Sequence, residues 1–163
     1  MQRPDIDFYD TYAPVADFVV VRIVIATACA KQWTIHHLDV KSAFLNGYLD
    51  EDIYMSLPRE YSLPNGTACK LKRSIYGLRQ APRAWNKRLT DDLKLSGFQP
   101  LINAESVFSS IIDKSVVYLI IYVDDILVVT ASELALTKAK TLLSELYKIK
   151  YLGNAEYFLG VKI

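Results

Sequence analysis

The chain has 163 residues and a formal net charge of +1, with 52% apolar and 23% charged side chains. That length suits one domain with a sizeable core, the balance excludes a disordered polymer, and the near-neutral total announces no strongly basic nucleic-acid binder. Two cysteines, Cys29 and Cys69, are too few for a disulfide framework or a zinc site and fit a reducing compartment.

Met1 to Tyr12 is polar, carries Arg3, Asp5, Asp7 and Asp10, and does not read as a signal peptide. Pro4 to Pro14 reads as an extended lead-in. Residues Phe18 to Ala30 carry two signals, a β-branched run over Val19 to Ile25 and a helix signal from Asp17 as N-cap with Ala26 to Lys31 behind it. Length selects the helix. Trp33 to Val40 predicts a strand that ends at Asp39, and Asp50 to Asp52 an acidic turn before a short strand at Ile53 to Met55. Pro58, Pro64, Asn65 and Gly66 mark loops. Cys69 to Leu71 predicts another short strand. A basic stretch begins there, Lys70, Lys72, Arg73, Arg79, Arg83, Lys87 and Arg88, with no acidic residue between Tyr61 and Thr90. Pro82 opens a helix carrying Trp85, Leu89 and Leu93, which Gly97 ends. Ser106 to Ile112 and Val116 to Tyr122 predict strands around an Asp113-Lys114 turn, and Ile126 to Thr130 a third. Ser132 caps a helix with Leu136, Ala139, Leu143 and Leu146 on one face, and Glu156 to Ile163 predicts a last strand. Without strict βαβ alternation, these elements predict an α+β fold with helices packed on one face of an antiparallel sheet. The longest apolar run, Val116 to Val129, is too short for a membrane span, so an intracellular, cytoplasmic domain is expected.

That run is interrupted by Asp124 and Asp125, with Tyr122-Val123 before them and Ile126 to Val129 behind. Burying two uncompensated carboxylates is costly. The plainer reading is a hairpin turn whose aspartates face water. Against it, Val123 resists the positive φ that a tight hairpin requires, and such strain concentrates where function needs it. From the residues alone, a metal site and a solvated turn stand level. Two-metal phosphoryl chemistry needs several carboxylates around ions roughly 3.5–4 Å apart. Asp39 is the natural further ligand, although by itself it reads first as a cap for Lys41 to Phe44. His36 and His37 alternate across their strand, so at most one faces the site; neither is assigned a catalytic role.

Taken in order, four segments resemble the motifs of copia-type long-terminal-repeat retrotransposon reverse transcriptases. They are Leu38-Asp39-Val40-Lys41-Ser42-Ala43-Phe44-Leu45-Asn46-Gly47, Ser74-Ile75-Tyr76-Gly77-Leu78-Arg79-Gln80-Ala81-Pro82-Arg83-Ala84-Trp85, Tyr122-Val123-Asp124-Asp125 and Tyr157-Phe158-Leu159-Gly160. Tyr12-Ala13-Pro14-Val15 and Ile53-Tyr54-Met55 are weaker echoes. The resemblance covers nearly the whole chain. It implies a single reverse transcriptase domain, with the palm over about 14–45 and 81–163 and partial fingers over about 46–80.

The resemblance also implies roles. Asp39 and Asp124 would hold two Mg2+ ions, for which Mn2+ could substitute, with Asp125 as a third and less central ligand. Val40, Lys41, Ser42, Ala43 and Phe44 would line the triphosphate pocket, Phe44 as the steric gate that selects deoxynucleotides; the plainer reading of Phe44 is a core phenylalanine. Tyr76 and Gly77 would pack on the nascent base pair, and Lys150 would protonate pyrophosphate, although the aspartate usual after that lysine is Tyr151 here. Arg79, Gln80, Pro82, Arg83, Tyr122, Val123, Phe158, Leu159 and Gly160 would meet the template–primer. For Lys87 and Arg88 a solvated helix face is the plainer reading, and for Trp85 a place in the core. The implied partners are an RNA template, a DNA primer, deoxynucleoside triphosphates and the rest of a polyprotein with integrase and ribonuclease H, in a virus-like particle if the element is active, and no membrane. The family's upstream Arg-Leu-Val segment, a thumb, ribonuclease H, integrase and protease are not in the sequence, so a polyprotein fragment or a decayed copy is expected. The alternative to a polymerase is a catalytically inactive, truncated remnant that binds nucleic acid.

Overall fold

Asp17 opens the first helix. Its backbone is extended and its carboxylate accepts the Val19 N–H at 2.7 Å, so α1 runs over Phe18–Ala30. The β-branched residues lose side-chain freedom there, but the helix buries Val21, Val24, Ile25 and Ala28 against the sheet, and tertiary packing outweighs propensity. Asp17→Ala is expected to cost about 1 kcal/mol, read as a lower urea midpoint at unchanged slope.

The computed structural model describes residues 2, 8–14, 16–57 and 68–163. The loop signals at Pro58, Pro64, Asn65 and Gly66, the motif residue Val15 and residues 4–7 of the lead-in lie outside the described residues. After α1 come β1 (Thr34–Val40), a 3-10 turn (Ala43–Asn46), β2 (Tyr54–Ser56), β3 (Ala68–Lys70), α2 (Ala81–Leu95) and β4 (Gln99–Leu101). β5 (Ala104–Ile112), β6 (Ser115–Tyr122), β7 (Asp125–Thr130), α3 (Glu133–Leu146), β8 (Ile149–Asn154), β9 (Tyr157–Phe158) and β10 (Val161–Lys162) follow. Among the described residues no helix is long and apolar enough to cross a membrane. Among the described residues the fold is α+β with antiparallel strand pairing and three α-helices.

The chain divides into two compact units, Met1–Ala13 with Ala43–Leu89 and Pro14–Ser42 with Thr90–Ile163. The second unit is built on a six-stranded sheet in the order β4-β5-β6-β7-β1-β8, each described neighbour antiparallel. Its helices do not share one face, as the sequence led us to expect. α1 packs with Ile35, Ile120, Leu127 and Val129, whereas Lys140 of α3 reaches His36, which points the other way along β1. The reason lies in β7, where Ile126 to Thr130 are all buried, so both sides of the sheet require a cover.

Two strands, β4 and β8, escaped the sequence reading. β8 is an edge strand, exposed along nearly its whole length, so it has no burial alternation to reveal it. Its register slips opposite His37 and Leu38, a bulge beside Gly153 (φ 88°). The expected last strand is instead a small hairpin, β9 and β10, turned at Leu159 (φ 49°) and Gly160 (φ 79°). The Asp113-Lys114 turn forms as expected, with both residues left-handed. In the first unit β2 and β3 pair antiparallel, Ala81, Ala84, Trp85 and Leu89 of α2 are buried, and the Ser74 hydroxyl donates to the Phe44 carbonyl.

Candidate active site at the tip of β6 and β7

Strand register places the carboxylates. Asp39 stands opposite Asp125 across β1 and β7, Asp125 opposite Tyr122 across β7 and β6, and Asp39 opposite Lys150 across β1 and β8. Residues directly opposite share a face, so Lys150, Asp39, Asp125 and Tyr122 form one row across four strands. Val123 and Asp124 make the two-residue tip of the hairpin. Val123 takes φ 56°, the left-handed backbone that a β-branched side chain resists. The tip is held from the neighbouring strand, because the Val40 N–H donates to the Asp124 carbonyl at 2.7 Å.

Two carboxylates opposite one another on adjacent strands repel. At Asp124, burial foremost, then the charges of Asp125 and Asp39, push the carboxyl above its ordinary value, while its own backbone N–H pulls it down. The folded state therefore holds this proton more tightly than the unfolded chain does. That contribution favours folding below the unfolded pKa and is lost as pH rises through the folded one. In metal-free buffer, Asp124→Asn should melt higher than the parent at about pH 7, and the gap should close towards about pH 4. A gap that ignores pH would overturn this.

The donor set fits a hard divalent cation. Three carboxylates supply oxygen ligands, and their mutual repulsion is what a cation relieves; Mg2+ keeps waters and substrate phosphates besides. Among the described residues no group of three or more His, Cys, Asp or Glu side chains is already drawn in to hold a metal ion. Asp39 and Asp125 face one another across β1 and β7, with Asp124 at the neighbouring tip.

His37 lies on the same side of β1 as Asp39, and its Nε2 is 2.6 Å from Asp125 Oδ1. Its ring meets Phe158 in a T-shaped arrangement, with centroids 5.8 Å apart and planes at 87°. His36 is on the opposite face at 2.9 Å from Lys140 Nζ; burial first and that ammonium second lower its pKa, while Glu133 raises it. Alternation in the sequence separated the two histidines, but only the register with β7 shows which one meets a carboxylate.

The remaining candidates divide between the units. In the second unit Val40 is buried, the Lys41 N–H donates to the Lys148 carbonyl and Ser42 is left-handed (φ 55°). In the first, Ala43 is buried, and the Phe44 and Tyr76 rings pack at 4.7 Å between centroids beside Gly77 (φ 99°). The basic stretch is answered by acids from distant segments. Arg83 meets Asp10 at 3.1 Å and Asp50 at 3.7 Å, Lys87 meets Asp50 at 3.1 Å, and Lys70 meets Asp52 at 2.6 Å. Arg73 and Arg88 lie over the Tyr48 ring, and Arg79 over Phe8. Pro82 is half-buried in the first turn of α2, and Gln80, bonded to Gln2, is buried. Phe158 is buried in the core under α1 and Leu159 is half-buried against it, which leaves Tyr157 and Gly160 as the exposed residues of its motif.

The sequence profile of the family described as reverse transcriptase (RNA-dependent DNA polymerase) matches residues 1–163. The chain belongs to the reverse transcriptase family. It is 39% identical over 164 residues to the retrovirus-related Pol polyprotein from transposon RE1 of Arabidopsis thaliana, and 37% identical over 163 residues to that from transposon RE2 of the same plant. To the corresponding protein from transposon TNT 1-94 of Nicotiana tabacum it is 34% identical over 165 residues. Each match covers 99% of this chain but only 11%, 11% and 12% of the respective relative. No solved structure matches it. The resemblance to copia-type elements is borne out by these matches.

One departure of this reverse transcriptase sequence from the family pattern has a structural setting. Tyr151 pairs with Leu38, one place along from the Lys150–Asp39 pair, and its phenol reaches α3, bonding the Ser144 hydroxyl and the Lys140 carbonyl. Its side chain therefore leaves the face that carries Asp39, so this substitution does not crowd the acidic row.

Proposed function

We propose that this chain is the RNA-directed DNA polymerase segment of a retrotransposon Pol polyprotein, adding deoxynucleotides to a primer-end hydroxyl on an RNA template. The carrying observation is the facing of Asp39 and Asp125 with Asp124 at the hairpin tip, in a chain of this family. The palm is proposed over about 14–45 and 81–163, and part of the fingers over about 46–80.

When bound, two Mg2+ ions would supply activation of the primer-end hydroxyl and neutralisation of the triphosphate charge, and Mn2+ can take their place. Asp39 and Asp124 are the residues proposed to hold them, with Asp125 as the third carboxylate. The backbone from Val40 to Phe44 cradles the triphosphate, and Phe44, steadied by Tyr76, excludes a ribose hydroxyl. Tyr76 and Gly77 pack on the new base pair. Lys150, in the row beside Asp39, delivers a proton towards the leaving pyrophosphate. Duplex phosphates would take over Arg83, Lys87 and Lys70 from their carboxylates at small cost, since exposed ion pairs contribute little. Binding should then weaken with salt. Integrase and ribonuclease H are the expected neighbours within the polyprotein.

Primer extension on an RNA template tests this, with the 163-residue chain and with the same chain joined to flanking polyprotein sequence. Template-directed, Mg2+-dependent extension by either is the expected result. Extension by neither, with salt-sensitive duplex binding intact, would instead make this a binding remnant.

A further inference from the structure

We propose that His37 is a positioning residue for Asp125, locking the second hairpin carboxylate through a bond from its Nε2–H. An ionised carboxylate only accepts, so at 2.6 Å the proton must sit on His37 Nε2. Both groups are sheltered, with 18% of the His37 side chain and 34% of the Asp125 side chain exposed, and hydrogen bonds to a charged acceptor are among the stronger ones. The imidazole is itself held, because Phe158 packs against it at right angles, 5.8 Å between centroids, and is 3% exposed in the core. A chain of contacts thus runs from the core under α1, through Phe158 and His37, to the acidic row.

The consequence is a division of labour among the carboxylates. Asp125 Oδ1 is committed to His37, so this residue offers a cation its other oxygen, in one fixed orientation. Asp124, on the hairpin tip, is bonded instead by its own backbone N–H. Groups that orient a ligand from behind in this way typically govern metal affinity by about 10–100-fold. This part rests on the two-cation reading above; the bond itself does not.

The test uses the whole chain and two kinds of measurement. In metal-free buffer, 15N-labelled histidine should show His37 as the Nε2–H tautomer with a downfield proton, lost in Asp125→Ala. Mn2+ binding, followed by the electron spin resonance of the free ion, should weaken about 10-fold in His37→Asn. It should recover in His37→Gln, whose amide reaches as far as Nε2 whereas that of asparagine does not. Melting curves of the two amides serve as the folding control. An Nδ1–H tautomer at His37, or wild-type Mn2+ affinity in His37→Asn, overturns the inference. A parent chain that binds no Mn2+ overturns the metal reading instead, and the imidazole signals then decide the positioning bond by themselves.

Discussion

Asp124→Asn is expected to lower Mg2+-dependent primer extension by on the order of 1,000-fold while duplex binding stays nearly unchanged. Charge stabilisation at a two-metal phosphoryl-transfer centre is worth several kcal/mol, and each 1.36 kcal/mol is a tenfold in rate. The asparagine amide has nearly the shape of the carboxylate, so the Val40 N–H to residue 124 carbonyl bond and the turn around Val123 survive. Loss of fold is no rival explanation, because the native charge at Asp124 is already disfavoured by burial and by Asp125 and Asp39. The two measurements to compare are single-turnover extension and salt-dependent duplex binding. Extension at the parental rate would show that the hairpin carboxylates are not the metal ligands.

Gly47→Ala should have the largest effect on stability, about 3 kcal/mol, from overpacking against backbone that has nowhere to go. A Cβ at residue 47 would stand 2.8 Å from the Ser74 hydroxyl, 2.8 Å from the Trp85 amide nitrogen and 2.9 Å from the Ala84 carbonyl carbon. The hydroxyl can rotate, but the two α2 atoms cannot, since Trp85 and Ala84 are buried. The same glycine accepts the Ser74 N–H through its carbonyl at 3.0 Å, so displacing it also strains the attachment between Phe44 and Ser74. Thermal melting should drop by roughly 6–12 °C for a domain of this size. A melting point within a degree or so of the parent would mean that the first unit yields more easily than its packing implies.

Much of the larger unit was legible in the sequence, for identifiable reasons. Asp17 and Ser132 are residues whose side chains accept backbone N–H groups, and both do so, at Val19 and Ala135. The strands β5, β6 and β7 carry dense apolar runs, and the turn residues between β5 and β6 are compatible with left-handed backbone. Val123 was legible as a misfit and is left-handed in the structure. What stayed hidden depends on partners far along the chain. β8 has no apolar rhythm of its own and exists because β1 offers it an edge. The basic stretch looked unopposed because Asp10, Asp50 and Asp52 come from other segments. Phe158 read as a surface contact by motif, yet it is a core residue, since a two-residue strand shows no periodicity. His37 was separable from His36, but its meeting with Asp125 required the pairing register, which local sequence does not encode.

The row formed by Lys150, Asp39, Asp125 and Tyr122 makes this chain unusually intolerant of odd-numbered length changes. One extra codon inside β1 ahead of Asp39 preserves the reading frame, yet it turns every later side chain of that strand over. Asp39 and Asp125 would then look out of opposite sides of the same sheet, whereas an insertion of two restores their shared outlook. Parity thus distinguishes harmless from silencing insertions in genomic copies of such a segment, even when every acidic residue is still spelled out.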